Sequence, residues 1–131
     1  MADYVPIICD DDVSFTSQAS ATITGGQVVA VTGSGTIGPA GANSVAVVGV
    51  AGQDAATNGY LTVYSGGIQN LVASGTVTAG DLVVAGAAGT VATLAAVTTP
   101  TAADVTNTRA ILGVALTTAT TTNLVRILWD N

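Results

Sequence analysis

From residue 19 onward the chain consists of short apolar runs rich in Val, Ile, Leu and Thr, bounded by glycine, asparagine or serine. Runs of Val, Ile, Leu and Thr bounded by such turn residues are typical of β-strands. Gly and Thr are too dense for long helices, although Thr101 suits the cap of one short helix at residues 101–106. The pattern predicts six strands, at residues 27–32, 44–51, 61–64, 81–85, 109–116 and 124–129.

The chain repeats this pattern once. Residues 24–31 match residues 78–85, at a shift of 54 positions. Residues 48–51 match residues 112–115 at a shift of 64, so the second copy holds about ten extra residues, which we place at 97–108. The repeat predicts an all-β domain made of two pseudo-repeated halves, at about residues 24–65 and 78–129.

Side chains in the matched strands alternate in character. Leu61 and Val63 share one face of their strand, and the repeat maps them to Val125 and Ile127. Because successive side chains of a strand point to opposite faces, we expect this aliphatic face to form the core and its polar neighbours to face outward. Trp129 follows on the same face and is expected to pack over the end of the core.

Several glycines stand where the chain must turn. Gly26 and Gly80 precede matching strands, and we expect both to adopt a backbone conformation that a Cβ would obstruct. Residues 58–59, 65–67 and 88–89 suit tight turns that need positive φ.

The N-terminal segment differs from the rest. Residues 1–18 hold half of the eight acidic residues and match nothing in the repeat, so we assign them to an extended arm and residues 19–131 to the β domain. The apolar part of the arm is suited to adding a strand to a neighbour's sheet edge. The contact candidates in the arm are Tyr4, Val5, Ile7, Ile8 and Phe15.

Composition and charge narrow the classes of function that this chain can have. Apolar residues make up 49% of the chain but aromatic residues only 4%, so the core is rich in Ala and Val and gains from contacts with another subunit. The net charge is −6 with only two basic residues, which excludes a nucleic-acid binder and disfavours anionic membranes. No basic leader or apolar run of membrane length is visible, and we expect a soluble chain made in the cytoplasm.

The residues that most enzymes use are scarce. The chain has no His, Glu or Lys and a single cysteine, Cys9, so we assign no catalytic, cofactor-binding or metal-binding residues. Asp10, Asp11 and Asp12 lack the alternating spacing of a calcium loop, and a solvated acidic arm fits them better. Residues 33–35 fit a hairpin turn better than a phosphate-binding loop, because no lysine is available.

The two basic residues, Arg109 and Arg126, allow two interpretations. Each is either a solvated surface charge or half of an ion pair with an acidic residue of a neighbouring subunit, since the arginine fork suits carboxylates. We keep both as candidates for subunit or partner contacts.

The motif Thr-x-Gly-(Gln/Asp)-x-Val, followed by (Val/Leu)-Gly-Val-Ala, resembles the head-decoration or capsid-cement proteins of tailed bacteriophages. It stands here at residues 24–31 with 48–51, and again at 78–85 with 112–115. The resemblance implies a small β-tulip or barrel fold and no enzymatic activity. It also implies homotrimers that bind the major capsid protein on the outer surface of the virion, with an N-terminal arm that bridges neighbouring capsomers.

A fibre, spike or adhesin domain of the virion is the main alternative, although such proteins usually carry shorter repeats in greater number. A biotinyl or lipoyl carrier domain is excluded, because its function requires a lysine. An enzyme would need an active site built from Asp, Ser, Thr, Tyr and Arg alone.

Overall fold

The computed structural model of the protein describes residues 13–129, and for Val13 the backbone only. This part of the chain forms strands and a short helix, which confirms the all-β prediction; the finer assignment to the β-tulip type stays a prediction. The strands are β1 (Val13–Ala19), β2 (Val28–Gly33), β3 (Thr36–Pro39), β4 (Val47–Ala51), β5 (Tyr60–Ser65), β6 (Ile68–Val72), β7 (Leu82–Ala85), β8 (Val91–Thr93), β9 (Gly113–Ala115) and β10 (Leu124–Trp129), and the helix is α1 (Ala102–Asn107).

The first five strands form a closed barrel in the order β1-β3-β2-β4-β5. Most neighbours are antiparallel, and β1 closes the barrel by pairing parallel with β3, where Gln18 faces Thr36 and Ala19 faces Ile37. On its other side β1 runs antiparallel to β5 over six residue pairs. The barrel therefore depends on β1.

The other five strands form a sheet with the same cyclic order of equivalent strands, β6-β10-β9-β7-β8. A parallel bridge between Ala73 and Val91 joins its two ends. Ala73 is the equivalent of Ala19 and Val91 of Ile37, so this bridge stands where β1 meets β3 in the barrel. The internal repeat is thus complete, with a first repeat at residues 13–65 and a second at 68–129.

The structure moves a boundary that the sequence suggested. Residues 13–18, which we assigned to the N-terminal arm, form most of strand β1 and are equivalent to β6 of the second repeat. Polar residues such as Ser14 and Thr16 hid this strand, because the barrel leaves their side chains exposed. Residues 1–12 lie outside the described part of the chain, and their role as an arm stays a prediction.

The other predicted strands and the predicted helix match the observed elements to different degrees. Strand β10 and the helix after Thr101 were predicted correctly. The predicted strand at 109–116 is too long, since Thr108–Ala110 form a 3-10 turn before β9. Strands β3, β6 and β8 were missed, because each is short and carries Pro, Gly, Gln, Asn or Thr.

The predicted turns have the expected geometry. Gly26 and Gly80 have φ values of 92° and 94°, in the left-handed region that favours glycine. Asn58 and Ala88 also have positive φ. Residues 33–35 turn between β2 and β3, as a hairpin does.

The core forms two clusters of buried side chains. One lies inside the first barrel and includes Ile23, Leu61 and Val63. The larger one fills the second repeat, includes Ile127 and Trp129, and extends into the first repeat. The predicted inward face of the matched strands is confirmed, and Trp129 is only 5% exposed.

Hydrogen bonds and close packing join the two repeats. The turn between β7 and β8, residues 85–89, lies against the first barrel. The Gly89 amide donates to the Ala40 carbonyl at 2.9 Å, and the Asn43 amide donates to the Ala85 carbonyl at 2.9 Å. A Cβ added at Gly89 would lie 2.7 Å from the Cβ of Gln27, so the contact requires glycine.

The packing of β4 against β5 gives a first testable prediction. A Cβ at Gly49 would meet the carbonyl oxygen of Tyr64 and come within 2.7 Å of Cγ1 of Val63. Because a backbone atom cannot rotate away, Gly49→Ala is expected to lower the free energy of unfolding by about 1–3 kcal/mol. Urea denaturation measures this, and Gly41→Ala is the control because open space surrounds Gly41. Equal stability of the two variants would contradict this packing.

The contact between repeats gives a second prediction. Gly35 and Gly89 occupy equivalent turns with φ of 77° and 76°, but only the Cβ of Gly89 would collide with the other repeat. Gly35→Ala is expected to cost about 1–2 kcal/mol of backbone strain, and Gly89→Ala that strain plus about 1–3 kcal/mol of overpacking. Thermal unfolding in dilute solution compares them. If Gly35→Ala proves as destabilising as Gly89→Ala, the repeats do not pack as described.

Candidate interaction surfaces

Phe15, one of the contact residues predicted in the N-terminal arm, is part of the barrel. Phe15 lies in β1 opposite Val63 of β5, and its equivalent in the second repeat is the buried Gln69. Phe15 nevertheless stays 37% exposed, so its ring is available for contact from a fixed position. Tyr4, Val5, Ile7 and Ile8 lie outside the described residues, as do Cys9 and the three acidic residues that follow it.

The two arginines occupy separate elements, and both are exposed. Arg126 lies in β10, and Arg109 lies in the 3-10 turn that follows α1. Within residues 13–129 neither guanidinium forms an ion pair or a hydrogen bond. Both groups are therefore free to meet a charge on another molecule without giving up a partner in this part of the chain.

The acidic side chains of the two repeats hold turns together. Oδ1 of Asp54 accepts from the Gly25 amide at 2.8 Å, and Oδ2 of Asp81 accepts from the Thr78 amide at 3.0 Å. Oδ2 of Asp104 accepts from the Thr101 amide at 2.6 Å at the start of α1. Each of these carboxylates therefore has a structural task.

Two clefts are lined mainly by apolar and uncharged polar side chains. An open cleft of about 380 Å³ lies between the inserted segment and the β7–β8 turn, and its lining includes Val84, Leu94 and Asp104. A second cleft of about 240 Å³ lies between the repeats, beside Gln27 and Val72. Residues 13–129 contain no group of three metal-ligating side chains. They also form no helix that is long and apolar enough to cross a membrane.

An exposed row of apolar side chains crosses the second repeat, and the sequence analysis missed it. Leu82, Val114 and Leu128 lie side by side on β7, β9 and β10. Leu82 is 46% exposed and Leu128 44%, while Val114 is partly buried. We call these three residues the apolar row. The signal was present in the repeat, since each of the three maps onto an apolar residue of the first repeat.

Comparison with known proteins identifies the family. The family model for phage cement proteins matches residues 9–128, which is most of the chain. The crystal structure of the head fiber gp8.5 N base in bacteriophage phi29 superposes with a TM-score of 0.68 and covers 91% of this chain and 94% of that one. Its sequence is 20% identical, so this likeness concerns the fold. A search of curated proteins gave no match.

These matches confirm the resemblance that the sequence motifs suggested. They support a structural protein associated with the phage capsid. The chain belongs to the phage cement protein family.

Proposed function

We propose that this protein binds the outer surface of the mature phage head and stabilises it by clamping neighbouring capsomers. The family match over residues 9–128 carries this proposal. The chain then acts by binding and not by catalysis. In this proposal it is made in the host cytoplasm, and its partners are the major capsid protein and further copies of itself.

The physical basis of such a clamp is mass action. A molecule that binds the assembled shell, and not the dissociated subunits, lowers the free energy of the shell relative to its parts. About 2.7 kcal/mol is gained for each site when the free protein is at 100 times its Kd. A homotrimer, which we also propose, would join three weak contacts into one attachment and raise the effective affinity.

We propose that residues 1–12 extend from the barrel and contact a neighbouring capsomer. Twelve residues span at most about 40 Å when fully extended, and β1 anchors their end on the barrel at Val13. Tyr4, Val5, Ile7 and Ile8 supply apolar contact area in this segment. Phe15 adds an exposed aromatic ring close to where the segment leaves the barrel.

We assign the two arginines to polar contacts at the edge of the same interface. Their exposure and their lack of ion-pair partners within residues 13–129 support this assignment. A charged pair at the rim of an interface mainly speeds association and fixes orientation. The acidic partners would belong to the capsid or to a neighbouring copy.

A base that carries a fibre on the phage head is the second candidate. The likeness of this fold to the head fiber gp8.5 N base favours it. Electron microscopy of antibody-labelled virions distinguishes the cement role from the fibre base. An even coat over the head supports the cement role, sparse projecting labels support a fibre base, and labelling of the tail contradicts both.

Deletion of residues 1–12 tests the clamp. Because the barrel begins at Val13, the shortened chain should keep its own melting temperature. It should bind mature heads that lack the protein at least tenfold more weakly, which corresponds to about 1.4 kcal/mol or more. Co-sedimentation measures binding, and calorimetry of the heads should show a rise in melting temperature with the full chain only.

A matched control replaces Asp10, Asp11 and Asp12 with Asn, which keeps the length of the segment. If contact depends on its apolar residues, this variant binds as the full chain does. Undiminished binding by the deletion variant would refute the role assigned to residues 1–12.

Charge removal at the arginines tests the rim contacts. Arg109→Gln and Arg126→Gln should leave the stability of the fold unchanged, since neither group has an ion-pair partner in residues 13–129. Each should weaken head binding by about threefold to tenfold and reduce its dependence on salt. The Lys variants keep the charge and should recover most of the binding. Wild-type affinity and salt dependence in both Gln variants would show that the arginines are solvated surface charges.

A further inference from the structure

The contact between the two repeats uses two different surfaces. The first repeat supplies an apolar face, which we call the acceptor face and define as Val28, Ala40, Val50 and Tyr64. The second repeat supplies its hairpin turn, residues 85–89. Because the two repeats have the same fold, each surface has an equivalent in the other repeat, and both equivalents are uncovered in the single chain.

The acceptor face is buried by the second repeat. Val28, Val50 and Tyr64 lie in one row across β2, β4 and β5, and Ala40 follows β3. Val28, Ala40 and Val50 have no exposed surface, and all three belong to the cluster that also contains the core of the second repeat. Tyr64 is partly buried and packs against the same cluster.

The equivalent face of the second repeat is equally apolar but exposed. Val28, Val50 and Tyr64 correspond to Leu82, Val114 and Leu128, the apolar row, with the same cross-strand pairing. Leu116, two residues after Val114, is 42% exposed at the position equivalent to Gly52. The inserted segment with α1 lines a cleft together with Val84 and Leu94, and none of the three residues of the apolar row lines that cleft. Contiguous exposed apolar side chains are a feature of interaction surfaces.

The equivalent hairpin of the first repeat is exposed as well. Residues 31–35 correspond to residues 85–89, and Gly35 has nearly the same φ as Gly89. Val31 is 50% exposed, whereas its equivalent Ala85 is buried. A Cβ at Gly35 would meet nothing within 4 Å, although the same atom at Gly89 would strike the other repeat. This hairpin shares the left-handed glycine of residues 85–89, although Ala88 has positive φ and its equivalent Ser34 does not. Within the single chain it covers no other surface.

We infer that residues 31–35 of one chain dock on the apolar row of a second copy of this chain, and so repeat between chains the contact that joins the repeats within one. The established interface fixes the geometry expected for the new one. Its hydrogen bond from the Gly89 amide to Ala40 predicts a bond from the Gly35 amide to the Leu94 carbonyl of the next copy.

One polar change across the equivalent positions suits this docking. Within the chain, Nε2 of Gln27 donates to the carbonyl of Ala88 at 3.1 Å. Between chains, the equivalents of Gln27 and Ala88 are Asp81 and Ser34. The bond to the Ala88 carbonyl thus has no direct counterpart, because the Asp81 carboxylate only accepts. Oδ2 of Asp81 accepts from Thr78 and Thr93, and the Ser34 hydroxyl can donate to Oδ1.

A contact between two different surfaces is heterologous, so it generates a ring if the rotation closes and a filament if it does not. Three chains in a ring would place six similar β repeats around one axis. The inference deepens the self-association proposed above and needs no capsid.

Complementation of two variants tests the inference. Leu82→Gln with Leu128→Gln removes the apolar row, and Val31→Glu places a charge on the hairpin. All three positions are exposed, so both variants should fold with unchanged melting temperature. At roughly 100 µM, far above a micromolar Kd, the wild-type chain should form an oligomer and each variant should have the mass of one chain.

Mixed in equal amounts, the two variants retain one intact hairpin and one intact row between them, so a species of two chains and no larger one should form. Light scattering after size exclusion gives these masses. Leu124→Gln, on the same strand as Leu128 and similarly exposed, is the matched control and should keep the wild-type mass.

Two results would overturn the inference in distinguishable ways. If the Val31→Glu variant keeps the wild-type mass, self-association stands but uses another surface. If the wild-type chain has the mass of one chain, the proposed self-association itself fails. Binding of that single chain to phage heads would still support the capsid role.

Discussion

The packing of the second repeat's hairpin on the face of the first barrel is the contact on which the rest of the structure depends. Each repeat alone has a small core of Val, Ala and a few larger side chains, because the chain is poor in aromatic residues. The larger cluster runs across the junction and takes in Val28 and Val50 as well as Ile127 and Trp129. Since apolar burial scales with the area removed from water, this shared cluster stabilises both repeats at once.

The same junction makes the two repeats unequal. They have equivalent strands and bridges, yet only the first has its apolar face covered, and only the second has both ends of its hairpin, Ala85 and Gly89, buried. A tandem pair necessarily leaves one surface of each kind unused at its ends. Such ends are suited to bind other molecules. The carboxylates of Asp54, Asp81 and Asp104, by contrast, serve the turns. This division of tasks agrees with a structural protein of the phage particle that works through its surface.

Sequence reasoning found the parts of this fold that local rules control. The alternation at residues 124–129 located β10 and its buried face, and the repeated Thr-x-Gly motif located turns with positive φ at Gly26 and Gly80. It missed β1 because Ser14, Thr16 and Gln18 read as a polar arm, and this strand is held in place by non-local pairing with β3 and β5. The apolar row was also missed. Leu82 and Val28 look alike in sequence, and only the tertiary contact decides which of them is covered.

The proposed function places this chain on the outside of the phage head, where its paired repeats would hold the shell together. Electron cryomicroscopy of the particle from which it comes, at side-chain resolution, tests this most directly. We expect density for two similar β repeats per chain on the outer capsid surface, with residues 1–12 continuing onto a neighbouring capsomer. An outer head surface that lacks such repeats, with the protein located in the tail or absent from the particle, would contradict the proposed function.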